Sequence, residues 1–185
     1  MSKADKILKD IEKVAQQQPR TLPIIGPQKG AVLERFVKEK QPRTILEIGT
    51  LVGYSAILMA RNLKKGKIIS IEINKKNADA AKLNIKNSGL PDKIEIINGD
   101  ALEVIPTLDG PFDLVFIDAN KEDYLKYLKA AEPKMAKDAV VVADNTGMFK
   151  DRVKDFLEYV RKSGKYKSEM HDFGFDAVEV SKKVG

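Results

Sequence analysis

Two short apolar runs in this 185-residue chain end in groups able to hold a hard cation. F-D-L-V-F-I (112–117) leads into D-A-N-K, and A-V-V-V-A (139–143) leads into D-N-T-G. Asp118, Asp144 and Asn145 would then stand at the ends of adjacent strands. Two carboxylates and an amide oxygen form an oxygen-only set that suits Mg²⁺ or another divalent cation and leaves about three octahedral positions for other ligands. Lys121 follows in the same segment as Asp118. A nearby dication disfavours the ammonium form of a lysine, which would turn it toward proton-accepting chemistry. Each residue also has an ordinary reading. Asp118 can cap a helix, Asp144-Asn145 can form a turn, and Lys121 can be a solvated lysine in a first helical turn.

A second group of residues suits a nucleoside. The run T-I-L-E-I (44–48) continues into the stretch E-I-G-T-L-V-G-Y-S, where Gly49 and Gly53 permit a tight turn and close backbone approach to a ligand. The spacing is not the full G-x-G-x-x-G fingerprint, and no P-loop Lys-Ser/Thr follows. The next apolar run ends in Glu72, about 20 residues past Gly53, where an acid can accept hydrogen bonds from both ribose hydroxyls. The third leads into N-G-D-A, placing Asp100 where it could accept from an adenine amino group. Strand ends also recruit acids as helix caps. The glycine turn and the two acids together favour an adenosyl ligand.

These residues need elements to position them. Apolar runs at 44–48, 67–72, 93–97, 112–117 and 139–143 alternate with helical patterns near 53–64, 75–88, 101–106, 121–135 and 148–162. That alternation predicts a mostly parallel sheet covered by helices on both faces, whose ligands bind beyond the carboxyl ends of the strands. Two strand-like runs then meet at Gly174-Phe175, predicting a terminal antiparallel hairpin. Residues 2–17 and about 28–40 read as amphipathic helices, separated by the breaker-rich Q-P-R-T-L-P-I-I-G-P. With no repeat or linker, residues 1–185 read as one domain whose first 40 residues form a helical cap segment.

E-I-G-T-L-V-G-Y-S-A-I-L-M-A-R resembles the first motif of the catechol O-methyltransferase-like family, and the resemblance runs from about Ile24 to the C-terminus. It implies an α/β class I methyltransferase (Rossmann-like) fold and an S-adenosylmethionine-dependent O-methyltransferase. It implies that Glu47, Gly49 and Tyr54-Ser55 line the methionine end of S-adenosylmethionine, with Gly53 in the same turn. Glu72 would hold the ribose, Asp100-Ala101 would border the adenine, and Asp118 would also face the cofactor. P-I-I-G-P-Q-K-G is similar to the family's stretch that covers the cofactor through backbone contacts near Ile25. In that family D-x-x-K followed by D-N is a metal set with a catalytic lysine. The resemblance therefore assigns Asp118, Asp144 and Asn145 to Mg²⁺ or another divalent cation, and Lys121 to the general base. The expected acceptor is a phenolic or catechol-like small molecule.

The match has gaps. The chain has no tryptophan, so it lacks the Trp gatekeepers that mammalian members place around the acceptor ring, and Asn120 stands between Ala119 and Lys121. Met148 and Phe149 are either acceptor-pocket walls or core residues of the following helix. No convincing counterpart emerges for the acid that contacts a second catechol hydroxyl; Asp172 and Asp176 are the nearest. His171, the only histidine, reads as a strand-surface residue.

Composition narrows the alternatives. The 33 Lys and Arg are scattered among 27 Asp and Glu for a net charge of +6, with no long basic block. This argues against nucleic acid as a partner and leaves an RNA methyltransferase of the same fold as the alternative. A non-catalytic cofactor-binding scaffold would have no need of Lys121. Zero cysteines exclude disulfides and thiolate metal sites. No apolar run approaches the roughly 20 residues that cross a bilayer. The basic N-terminal stretch has no apolar h-region, so neither membrane nor export is expected and the cytoplasm is the expected location. A homodimer stays open.

Overall fold

The computed structural model describes residues 1–184. Five strands run parallel: β1 (Thr44–Ile48), β2 (Lys67–Glu72), β3 (Ile94–Asn98), β4 (Phe112–Ile117) and β5 (Met135–Ala143). The hairpin β6 (Tyr166–Asp172) and β7 (Ala177–Lys183) is antiparallel, and β7 pairs antiparallel with β5. The sheet order is β3-β2-β1-β4-β5-β7-β6. The chain reverses its direction of strand addition between β1 and β4, which opens the crevice where such sheets bind ligands.

Strand residues alternate between two apolar layers because successive side chains point to opposite faces. Ile45, Leu114, Phe116, Val140 and Val142 enter one layer, beneath α1 (Lys3–Gln17), α2 (Gly26–Lys40), α3 (Tyr54–Ala60) and α4 (Lys75–Ser88). Leu46, Val115, Ile117, Val141 and Ala143 enter the other, covered by α5 (Ala101–Val104), α6 (Tyr124–Ala131) and α7 (Lys154–Lys162). Both faces of the central strands are therefore dry, which explains why they read as continuous apolar runs.

The N-terminal helix starts at a capping box, in which Ser2 and Asp5 satisfy each other's backbone N–H groups. It buries Ala4, Leu8, Ile11 and Ala15. Polar ties fix its other contacts: Arg61 donates to Asp5 at 2.8 Å and to Glu34 at 2.6 Å, and the Tyr54 hydroxyl donates to Glu12 at 2.6 Å. No helix among the described residues is long and apolar enough to cross a membrane.

Several boundaries differ from the sequence expectation. α3 ends at Ala60, because Arg61 and the two residues after it turn toward β2. The pattern at 121–135 resolves into α6 flanked by 3₁₀ turns at Lys121–Asp123 and Glu132–Lys134. α7 begins at Lys154 instead of 148, because the preceding backbone is tied to the hairpin: the Thr146 N–H donates to the Ala177 carbonyl at 2.9 Å and the Met148 N–H to Asp176 at 2.9 Å.

Candidate active site

Pairing register sets the site. Ile48 lies opposite Ile117 and Ile117 opposite Ala143, so the residues that follow, Gly49, Asp118 and Asp144, come into a row. One further ladder bond closes each step: Gly49 N–H to Ile71, Asp118 N–H to Ile48, and Asp144 N–H to Ile117, at 2.9–3.0 Å. Gly49 has φ +96°, and a Cβ there would lie 2.1 Å from the Asp118 carbonyl oxygen. Only glycine lets these two strand ends approach so closely.

A cavity of about 550 Å³ opens above this row. That volume suits a nucleoside-sized cofactor together with a small acceptor. Ten of the residues singled out from the sequence line it: Ile25, Gly49, Tyr54, Ser55, Glu72, Asp100, Ala101, Asp118, Lys121 and Asn145. Glu47, Gly53 and Asp144 are not among its lining residues. Gly53 caps α3 at φ +84°, and Glu47 and Asp144 are buried. Residues given no role from the sequence also line it, among them Thr50 and Leu51 of the glycine turn, Ile73, Asn77 and Tyr127.

Glu72 accepts the Leu51 N–H and the Asn74 N–H at 2.8 Å each, one per carboxylate oxygen. Each oxygen keeps a lone pair, and together they can accept from two hydroxyls. Asp100 is a helix cap as well as a cavity residue, since its Oδ1 accepts the Leu102 N–H at 2.8 Å. Ile25 stands at the start of α2 and, with Pro23 and Ile24, covers one side of the cavity.

Glu47 lies beneath the glycine turn with no solvent exposure. Ser70 donates to its Oε2, while Oε1 has no partner. Burial pushes its carboxyl up to about 7; the nearby Ser55 hydroxyl and the Ser70 hydrogen bond oppose this, and the charges of Asp118 and Glu72 add to it.

At the other end Lys121 is nearly buried. Its ammonium donates to Asp118 Oδ1 and to the Tyr124 hydroxyl, both at 2.8 Å, and that hydroxyl donates to the main-chain oxygen of Asp144 at 3.0 Å. The solvated reading of this lysine does not hold. Burial, with Asp118 and Asp144 nearby, raises the Tyr124 phenol well above its ordinary range, so it stays a neutral hydrogen-bond relay.

Lys29, on the first turns of α2, carried no signal in the sequence and is 5 % exposed. Its ammonium lies 2.8 Å from each oxygen of Asp144 and 2.6 Å from Asp176 Oδ2. The alignment at Asp144 is that of a hydrogen bond only at Oδ2, which leaves Oδ1 a buried acceptor without an aligned donor. Burial and the charge of Asp118 push the Asp144 carboxyl above its ordinary range despite Lys29. Asn145 adopts φ +59° and donates its amide N–H to Asp176 at 2.7 Å, which turns the amide oxygen the other way. No trio of His, Cys, Asp or Glu gathers as a metal cluster among the described residues. Two carboxylates and an amide oxygen, one carboxylate oxygen lacking a partner, are nevertheless a donor set that fits a hard dication. Met148 is exposed, and Phe149 lines the cavity, so neither is a core residue. His171 is half-buried on β6, with its Nε2 buried and unpartnered.

The fold is that of the class I methyltransferases. The structure of the O-methyltransferase TomG from Streptomyces achromogenes, involved in tomaymycin synthesis and in complex with SAM, superposes with a TM-score of 0.88 at 28% identity, covering 97% of this chain and 90% of that one. The O-methyltransferase from Bacillus cereus in complex with SAH gives 0.86 at 26% identity, covering 96% and 90%. The sequence is more specific: the profile of the O-methyltransferase family matches residues 1–165, and the chain belongs to that family. Catechol O-methyltransferase from Mycobacterium tuberculosis is 41% identical over 123 residues, 65% of this chain and 56% of that protein. Catechol O-methyltransferase B from Danio rerio is 38% identical over 152 residues, 78% and 57%. The chain thus spans little more than half the length of these curated relatives.

Proposed function

We propose that this protein transfers a methyl group from S-adenosylmethionine to a hydroxyl of a catechol-like small molecule chelated by a divalent cation. The observation that carries the reading is the chain in which Lys121 donates to Asp118 and Tyr124, and Tyr124 to the main-chain oxygen of Asp144; it links Asp118 and Lys121 in the cavity wall to the buried strand end that carries Asp144.

Glu72 receives the ribose hydroxyls, and Asp100-Ala101 border the adenine. Ile25 covers the cofactor, and Gly49, Tyr54 and Ser55 line its methionine end, supported from beneath by Glu47 and Gly53. When bound, the cofactor supplies an electrophilic methyl. Asp118, Asp144 and Asn145 would hold Mg²⁺ or a similar cation, which supplies Lewis acidity toward adjacent acceptor oxygens. Lys121, in its neutral amine form, would take the hydroxyl proton on the Nζ lone pair and become the ammonium that Asp118 and the Tyr124 hydroxyl hold in place. Phe149 walls the acceptor side, and Asn120 leaves it more open than a tryptophan would. Holding acceptor and methyl in near-attack alignment supplies much of the remaining acceleration.

The test is transfer of labelled methyl from S-adenosylmethionine to a panel of catechols, with Mg²⁺ and with EDTA. Turnover that requires Mg²⁺ is expected. Transfer undiminished by EDTA would refute the metal assignment, and cofactor binding without transfer to any catechol would refute the acceptor class.

A further inference from the structure

Asp176 sits next to the candidate metal set, yet its carboxylate is fully engaged. Oδ1 accepts the Met148 N–H at 2.9 Å, and Oδ2 accepts from Lys29 at 2.6 Å and from Asn145 at 2.7 Å. The residue is 4 % exposed and does not line the cavity. An acid so committed has little capacity left for a ligand hydroxyl. Its partners are the informative part: through Asn145 Nδ2 it fixes which way that amide oxygen points, and through Lys29 it is tied to Asp144.

We infer that Lys29 and Asp176 are positioning residues, a buried ion pair that aims the Asp144 carboxylate and the Asn145 amide oxygen at a divalent cation; the inference rests on the metal reading above. Lys29 lies against both oxygens of Asp144 but donates an aligned hydrogen bond only to Oδ2, so Oδ1 keeps an unfilled acceptor direction, while Asp176 holds Asn145 by its nitrogen and leaves its oxygen unbonded. The two presented oxygens come from consecutive residues at the end of β5. The two residues that orient them come from α2 and from the start of β7, so three separate elements fix one pair of ligands. Outer partners of this kind set the direction of ligating groups, and their loss weakens metal binding.

Charge and orientation make opposite forecasts here. A cation 2.8 Å from Asp144 repels a dication, so if Lys29 acted only through its charge, removing it would tighten metal binding. If it acts by orientation, removal weakens binding. The double variant Lys29→Met/Asp176→Asn removes one charge of each sign and keeps the net charge of the site. The experiment is calorimetric titration of Mg²⁺ into SAH-saturated protein, with thermal stability and SAH affinity measured alongside.

The expected result is Mg²⁺ binding about 10- to 100-fold weaker in the double variant, with SAH affinity unchanged. Parent-like Mg²⁺ affinity in the double variant would overturn the assignment alone. A parent protein that binds SAH but no Mg²⁺ would overturn the metal reading and this assignment with it, and is recognisable because it appears before any substitution. Should the double variant fail to fold, Lys29→Met removes the donor together with the charge. Unchanged or tighter Mg²⁺ binding in that variant would overturn the positioning role, and weaker binding would support it.

Discussion

A side chain at Gly49 would place its Cβ 2.1 Å from the main-chain oxygen of Asp118, which joins the glycine turn after β1 to the end of β4 without any side-chain contact. The cavity has its floor at this contact. Gly49→Ala must either break it or adopt a backbone that L residues avoid at φ +96°. The expected cost is about 2–4 kcal/mol of stability by chemical denaturation, with SAH binding lost in the folded fraction. Parent-like stability and SAH affinity would contradict the geometry.

Glu72 accepts two backbone N–H groups and, in the proposed complex, two ribose hydroxyls. Charge-assisted hydrogen bonds contribute about 1.5–3 kcal/mol. Glu72→Gln is therefore expected to weaken SAH binding roughly 10- to 100-fold by calorimetry. Unchanged affinity would place the ribose elsewhere.

Glu47 gives a pH signature. Its folded-state pKa of about 7 lies above the ordinary 4.5, so the folded protein holds this proton more tightly than the unfolded chain does. The resulting stability is complete below about 4.5 and is lost as pH rises to about 7. Denaturant midpoints across that range should fall with pH in the parent by the equivalent of about 1–3 kcal/mol, and the fall should be shallower in Glu47→Gln. Identical slopes in the two proteins would show that Glu47 is not the titrating group.

Much of this was legible before the fold was known, for physical reasons. β1, β2 and β4 are short, buried on both faces and bounded by turn residues, so their limits at 44–48, 67–72 and 112–117 follow from the apolar runs. Because ligands gather at strand carboxyl ends, the cavity-lining Glu72, Asp100, Asp118 and Asn145 could be found by reading from the last residue of each run to about three past it. Lys29 could not. It is one of many helical lysines, and its burial depends on Asp144 and Asp176, which lie more than 100 residues away in sequence. The start of α7 at Lys154 departs from the periodicity for a related reason: the Thr146 and Met148 N–H groups take their partners from the hairpin, which local periodicity does not report.

Lys121 separates binding from chemistry. Lys121→Met removes the proposed base while leaving Glu72, Asp100 and Ile25 in place. Turnover should fall about 10²- to 10⁴-fold with SAH affinity unchanged. Retention of most of the parent rate would return Lys121 to a purely structural pairing with Asp118.

If Asp118, Asp144 and Asn145 hold a cation that methyl transfer requires, Asp144→Ala removes one of its anionic ligands. Turnover of a catechol with labelled S-adenosylmethionine would be measured across a Mg²⁺ titration, beside SAH affinity. Mg²⁺-dependent turnover is expected to be abolished while SAH binds nearly as in the parent. Full activity in the variant, with or without Mg²⁺, would contradict it.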